Sequence, residues 1–119
     1  MDGFHQLQDF TLFMFVHIAS VDGSLHPNER EAIIEKMNEL FPGEAPYEEK
    51  LGALESQYKK LGFAAAEDLL TETWPIFSSM NQEMKTKLYK DLFDIINSDA
   101  RVNEEETRAL KIFKPWLTS

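Results

Sequence analysis

The stretch I-A-S-V-D-G-S-L-H-P-N-E-R-E-A-I, Ile18 to Ile33, decides how the chain is read. Ahead of it lies an apolar run, F-T-L-F-M-F-V-H-I-A (Phe10 to Ala19), and behind it a segment with apolar residues at helical spacing. Asp22-Gly23 is a standard turn pair between them, and Pro27 suits the first position of a new helix, where its missing N–H costs nothing. A second stretch, I-I-N-S-D-A-R-V-N-E-E-E-T-R-A-L (Ile95 to Leu110), lies over the first without a gap. Ile18 falls on Ile95, Asp22 on Asp99, Glu29 on Glu106 and Ala32 on Ala109, while Leu25 matches Val102 in character. Because both copies join two helical patterns at the same point, the chain carries two similar helix-turn-helix units, one toward each end.

Working outward, every apolar pattern has helical period. Helix one is expected from about Phe4 to Val21, apolar on nearly every side in its second half and so packed by neighbours all round. Its aromatic and β-branched residues would also suit a strand, but its length favours a helix. Helix two follows Pro27 with Ile33, Met37, Leu40 and Phe41 and stops at Pro42-Gly43. Helix three has the stripe Tyr47, Leu51, Leu54, Tyr58 and Leu61, closed by Gly62. Helix four carries Phe63, Ala66, Leu70, Trp74 and Phe77, and Pro75 is expected to kink or split it near Trp74. Helix five begins near Asn81 with Met84, Leu88, Leu92, Ile95 and Ile96. Helix six follows Asn103, carries Leu110 and Phe113, and is expected to end near Pro115. The fold class is all-α, a compact bundle of about six helices formed by residues 1–119 as one domain.

Composition narrows the function. With 21 acidic and 12 basic residues the net charge is -9, and no basic cluster longer than Lys59-Lys60 occurs. A nucleic-acid partner is therefore not expected, whereas cations and basic protein surfaces are. The chain has no cysteine, which removes disulfides, thiol chemistry and cysteine-zinc sites and fits a reducing compartment. The apolar run at Phe10 is about half the length of a membrane span, and no basic segment precedes it, so neither a transmembrane helix nor a signal peptide is expected. These features lead to the expectation of a cytoplasmic protein. No Gly-rich phosphate loop, G-x-S-x-G motif or cysteine nucleophile is present, and no enzymatic residue set can be named.

The two corners admit two readings. As structure, Asn103 is an N-cap and Glu106 its capping-box partner, while His26 takes the cap position and Glu29 the box position in the first copy. As chemistry, Asp22 and Glu29, and Asp99 with Glu104, Glu105 and Glu106, place carboxylates beside turns with free carbonyls, an oxygen set suited to Ca²⁺ or Mg²⁺. Corners lying side by side would crowd four carboxylates, which then shift pKa upward or recruit a cation. An EF-hand is excluded by spacing: counted from Asp22, glycine stands second and Ile33 twelfth, and counted from Asp99, Leu110 stands twelfth.

The D-G-x-hydrophobic-x-x-x-E corner after an apolar helix ending in Ala, repeated near the C-terminus, resembles the TerB-like family of tellurite-resistance proteins. It is also similar to a related helical domain of membrane-anchored J-domain co-chaperones. The residues that carry the resemblance are Asp22, Gly23, Leu25 and Glu29, then Asp99, Val102 and Glu106. The resemblance implies a helical bundle with pseudo-twofold halves, no established enzymatic activity, and a role in bacterial tellurite resistance or stress response. It also implies a divalent cation on Asp22, Glu29, Asp99 and Glu106. Ala100 departs from the pattern where glycine is expected, and Arg101 beside Asp99 would compete with a metal. The alternative is a co-chaperone-type interaction module whose corners are caps only and whose protein partner docks on an apolar groove.

The remaining candidates read as structure. On a helix His17 points about 140° away from Asp22, which argues against zinc and for a polar position on a buried helix. His26 reads as a cap, and His5 sits near an end. Glu29, Glu31, Glu35 and Glu39 read as a solvated face of helix two. Trp74 and Trp116 suit an interface patch or the core equally.

Overall fold

The computed structural model describes residues 7–20, 27–43, 47–96 and 104–118. Six helices follow in order: α1 (Leu7–Ala19), α2 (Pro27–Leu40), α3 (Tyr47–Leu61), α4 (Phe63–Phe77), α5 (Gln82–Ile96) and α6 (Glu104–Thr118). Among the described residues there is no strand, and the all-α reading holds.

The organising element is α1. Ten successive residues, Phe10 to Ala19, are buried, and all five other helices pack on it. A helix buried on every side has no polar face to spend on water, which is why this segment is apolar without an amphipathic stripe. Its last turn closes through Ser20 N–H donating to the Val16 carbonyl at 2.9 Å. The surrounding helices each contribute one stripe: Ile33 and Met37 from α2, Tyr47, Leu51 and Tyr58 from α3, Ala66 and Leu70 from α4, Leu88, Leu92, Ile95 and Ile96 from α5, and Leu110, Phe113 and Leu117 from α6.

Local chemistry sets the helix boundaries. Pro27 opens α2 as its first residue. Tyr47 donates its hydroxyl to the Phe41 carbonyl at 2.7 Å, tying the start of α3 to the end of α2. Gly62 separates α3 from α4 with φ of 82°, a left-handed conformation in which a side chain is strained, and its carbonyl accepts the Ala66 N–H at 3.0 Å. Asn81 caps α5 by accepting the Met84 N–H on its side-chain oxygen at 2.8 Å.

Two helices run on past a proline. α4 is not split at Trp74 but continues through Pro75 to Phe77, and α6 does not end near Pro115 but continues to Thr118. In both helices the proline lies in the last turn, where it forfeits one N–H bond to the carbonyl four residues earlier. The turns beyond each proline also bury apolar surface: Phe77 packs on Phe10 at 4.9 Å, and Leu117 is fully buried.

Between α2 and α5 the core gives way to an ion network. The Asp91 carboxylate is fully buried, with Lys87 Nζ at 3.0 Å and Lys36 Nζ at 3.6 Å from the same oxygen. Lys36 also reaches Asp94 at 3.2 Å, and Lys87 reaches Glu39 at 3.1 Å. Partial burial pulls the Lys36 pKa down, but the Asp94 hydrogen bond and the Asp91 charge outweigh it and hold the ammonium above its usual value. On the other side, α3 is joined to α1 by Asp9–Lys50 and to α2 by Arg30–Glu55.

A buried carboxylate deprived of its cations is costly, so Asp91 sets the first expectation. The double substitution Lys36→Met/Lys87→Met should destabilise the fold by about 3 kcal/mol in urea unfolding, and adding Asp91→Leu should recover most of that loss. Equal stability of the double and triple variants would show that Asp91 does not depend on the two lysines.

Candidate functional site

The candidate chemistry of the chain lies at its two repeated acidic motifs and at one buried polar pair. The helices entering the corners, α1 and α5, pack against each other, as do the two helices of each unit. Of the four candidate ligands, Asp22 and Asp99 lie outside the described residues. Glu106 belongs to the first turn of α6, and its side chain is likewise outside the description.

Glu29 is described, and it is not solvated. It lies in the first turn of α2 with 1% of its surface exposed. The grouping of Glu29 with Glu31, Glu35 and Glu39 as one solvated face is thereby corrected: the other three are exposed, but Glu29 precedes Ile33 and Met37 at four-residue steps and shares their inward stripe. A carboxylate is held inward at a helix start because the backbone N–H groups and the positive end of the helix dipole favour it there. Position on the stripe and position in the first turn together give it both burial and an electropositive setting. Among the described residues, no group of three or more His, Asp or Glu side chains is arranged to hold a metal.

His17, in the last turn of α1, is fully buried. Its imidazole stacks on Phe63 of α4 (4.7 Å between centroids, 25° between planes) and meets Tyr58 of α3 and Phe113 of α6 edge-on at 5.6 and 5.8 Å. Neither ring nitrogen has a hydrogen-bond partner among the described residues, and the Glu67 Oε2 atom stands 3.8 Å from Nε2, too far to bond. The Tyr58 hydroxyl and Glu67 Oε2 are buried and unbonded as well. Burial pushes the His17 pKa down to about 4. It pushes Glu67 up, assisted by Asp68, and pushes Tyr58 up to about 12, assisted by the Glu67 charge. The reading of His17 as a polar position on a buried helix holds, but its pairing with Glu67 was not legible, because fifty residues of sequence separate the two.

The tryptophans occupy neither extreme. Trp74 and Trp116 are half-buried and stack on each other at 5.2 Å and 11°, with Lys85 Nζ 5.9 Å from the Trp74 ring centre. Trp116 also tilts against Phe113, and Trp74 stacks near Phe10. The pair thus links the outer edges of α4 and α6 to the core beneath them.

His17 fixes a pH dependence whose sign is determinate. Its folded pKa lies below the ordinary 6.5, so the unfolded chain binds the extra proton, and the stability present above 6.5 is lost as pH falls toward about 4. A shift of this size corresponds to about 3 kcal/mol, and Glu67, shifted in the opposite direction, returns part of it. Urea unfolding across that interval should show a steep loss for the native chain and a clearly shallower one for His17→Phe. Identical slopes would remove His17 as the source.

The family model described as Tellurite resistance protein TerB matches residues 8–117, which takes in all six helices and both corners. No curated protein and no solved structure matches the chain. With the match running from the first turn of α1 to the last turn of α6, the chain belongs to the TerB family.

Proposed function

We propose that this TerB-family chain is a non-enzymatic module of a bacterial tellurite-resistance or stress response, working in the cytoplasm, where its acidic corners take up a divalent cation and alter its affinity for a protein partner. The observation that carries the reading is Glu29, a carboxylate buried in the first turn of α2 beside the corner that holds Asp22. Oxygen donors without cysteine favour a hard ion, Ca²⁺ or Mg²⁺, over zinc. The duplicated corner supplies Asp99 and Glu106 as counterparts of Asp22 and Glu29, and the packing of α1 on α5 joins the helices from which both corners depart. A net charge of -9 favours cations and basic partner surfaces in the same way. No helix among the described residues is long and apolar enough to cross a membrane, in keeping with this setting.

In this reading Glu29 and Glu106 hold the ion from the helix starts, and Asp22 and Asp99 hold it from the turns. The bound cation neutralises carboxylates that otherwise repel one another, and this charge change is what a partner would sense.

An amide NMR titration of the metal-stripped protein with Ca²⁺ and Mg²⁺, repeated on Asp22→Asn, Glu29→Gln and Asp99→Asn, tests the proposal. Saturable shifts at both corners with Kd at or below about 1 mM, weakened at least tenfold in each variant, are expected. Unchanged spectra at higher ion concentrations would overturn it, leave the acidic residues as helix caps, and favour the co-chaperone-type interaction module.

A further inference from the structure

We infer that His17 and Glu67 form a proton-operated latch between α1 and α4, in which one proton taken up from solvent turns a non-bonded contact into a hydrogen bond. At neutral pH the pair consists of a neutral imidazole and a carboxylate whose nearest atoms, Nε2 and Oε2, stand 3.8 Å apart. A proton added to Glu67 gives Oε2 an O–H that donates to the Nε2 lone pair. The bond forms once the atoms close by about 1 Å, within the reach of a glutamate side chain that remains partly exposed. No other atom changes its covalent state, and the pair's charge goes from minus one to zero, which suits a poorly hydrated site.

Three observations converge on this assignment. Both nitrogens of a fully buried imidazole lack partners among the described residues, an arrangement that folded proteins rarely tolerate without a use. Glu67 follows Phe63 by one helical turn, so the carboxylate and the ring that covers His17 share one face of α4. Phe63 is 42% exposed and follows Gly62, so the cover over His17 is also the least buried turn at the α3–α4 junction.

Among the described residues, no lysine or arginine is paired with His17 or Glu67. α3 presents Tyr58, which remains a neutral phenol through this range, and α6 presents the apolar Phe113. On α4, Asp68 raises Glu67 further and favours its protonation. The buried carboxylate of α5, Asp91, is engaged by Lys36 and Lys87, α2 contributes the buried carboxylate Glu29, and burial is the cause of the His17 shift. Closing the latch ties α4 to α1 at Glu67, so the adjoining Phe63 turn is held more firmly in mild acid than at neutral pH, even while the fold as a whole loses stability through His17.

The test uses the full chain carrying His5→Gln and His26→Gln, so that His17 is the only imidazole, labelled with ¹⁵N at histidine and ¹³C at glutamate. On lowering the pH from neutral toward about 4, the Nε2 resonance should move with the same midpoint as the Glu67 carboxyl carbon. Exchange of the Ala66 amide, corrected for its intrinsic rate, should slow about fivefold, the effect of one added hydrogen bond. Glu67→Gln, whose amide donates to Nε2 at every pH, should show the shifted resonance and slow exchange already at neutral pH. Glu67→Asp, too short to reach, should abolish the response, which keeps the test valid if the glutamine variant folds poorly. A Glu67 titration that leaves Nε2 unmoved, or an Nε2 response unchanged in the aspartate variant, would overturn the latch.

Discussion

Burial of α1 on all sides is the constraint from which the rest of this structure follows. A helix with ten consecutive buried residues needs neighbours around its whole circumference, and five helices with one apolar stripe each provide them. That arrangement dictates the amphipathic character of α2 to α6 and places the polar residues of α1 under exceptional terms. Thr11 and His17 are buried because their positions are buried, with no adjustment available by rotating the helix. The neutral state of His17 is thus a consequence of packing, enforced by the same aromatic surroundings that stabilise the bundle.

Polar burial is handled differently at three places. Asp91 is balanced by two lysines from separate helices, one of which, Lys36, also serves Asp94. Glu29 is placed at a helix start, where the dipole and backbone N–H groups favour a negative charge. His17 and Glu67 have neither arrangement and stand just beyond bonding distance. The first device joins α2 to α5 and the second marks the first corner. The third sits where α1 meets α4.

The helical bundle was legible because period and length are local properties. The stripes of α2, α3 and α5 appear as written in the sequence, and α1 could be recognised by its lack of a polar face. How far α4 and α6 run beyond Pro75 and Pro115 was not legible, because that depends on what the following turn buries, which is tertiary. In the site, the shared four-residue step of Glu29, Ile33 and Met37 signalled an inward carboxylate, but the acidic residues that follow on α2 masked it. The meeting of His17 with Glu67 left no such trace. The only local hint was that Glu67 follows Phe63 by one turn, and nothing in α4 alone says which helix that face meets. Asp22 and Asp99 fall outside the described residues, so the cation reading rests on the corner motif and on Glu29.

The central position of α1 has a consequence for the time at which the protein can hide it. It is synthesised before the five helices that cover it, and α6, one of these, ends at Thr118. At a translation rate of roughly 5–20 residues per second, the most apolar segment therefore waits on the order of 5–20 s for its last cover. During that interval an incomplete bundle presents exposed aromatic surface of the kind that sticks to other nascent chains. The architecture that gives the finished molecule its core thus makes its biogenesis dependent on whatever shields unfinished chains in the cell.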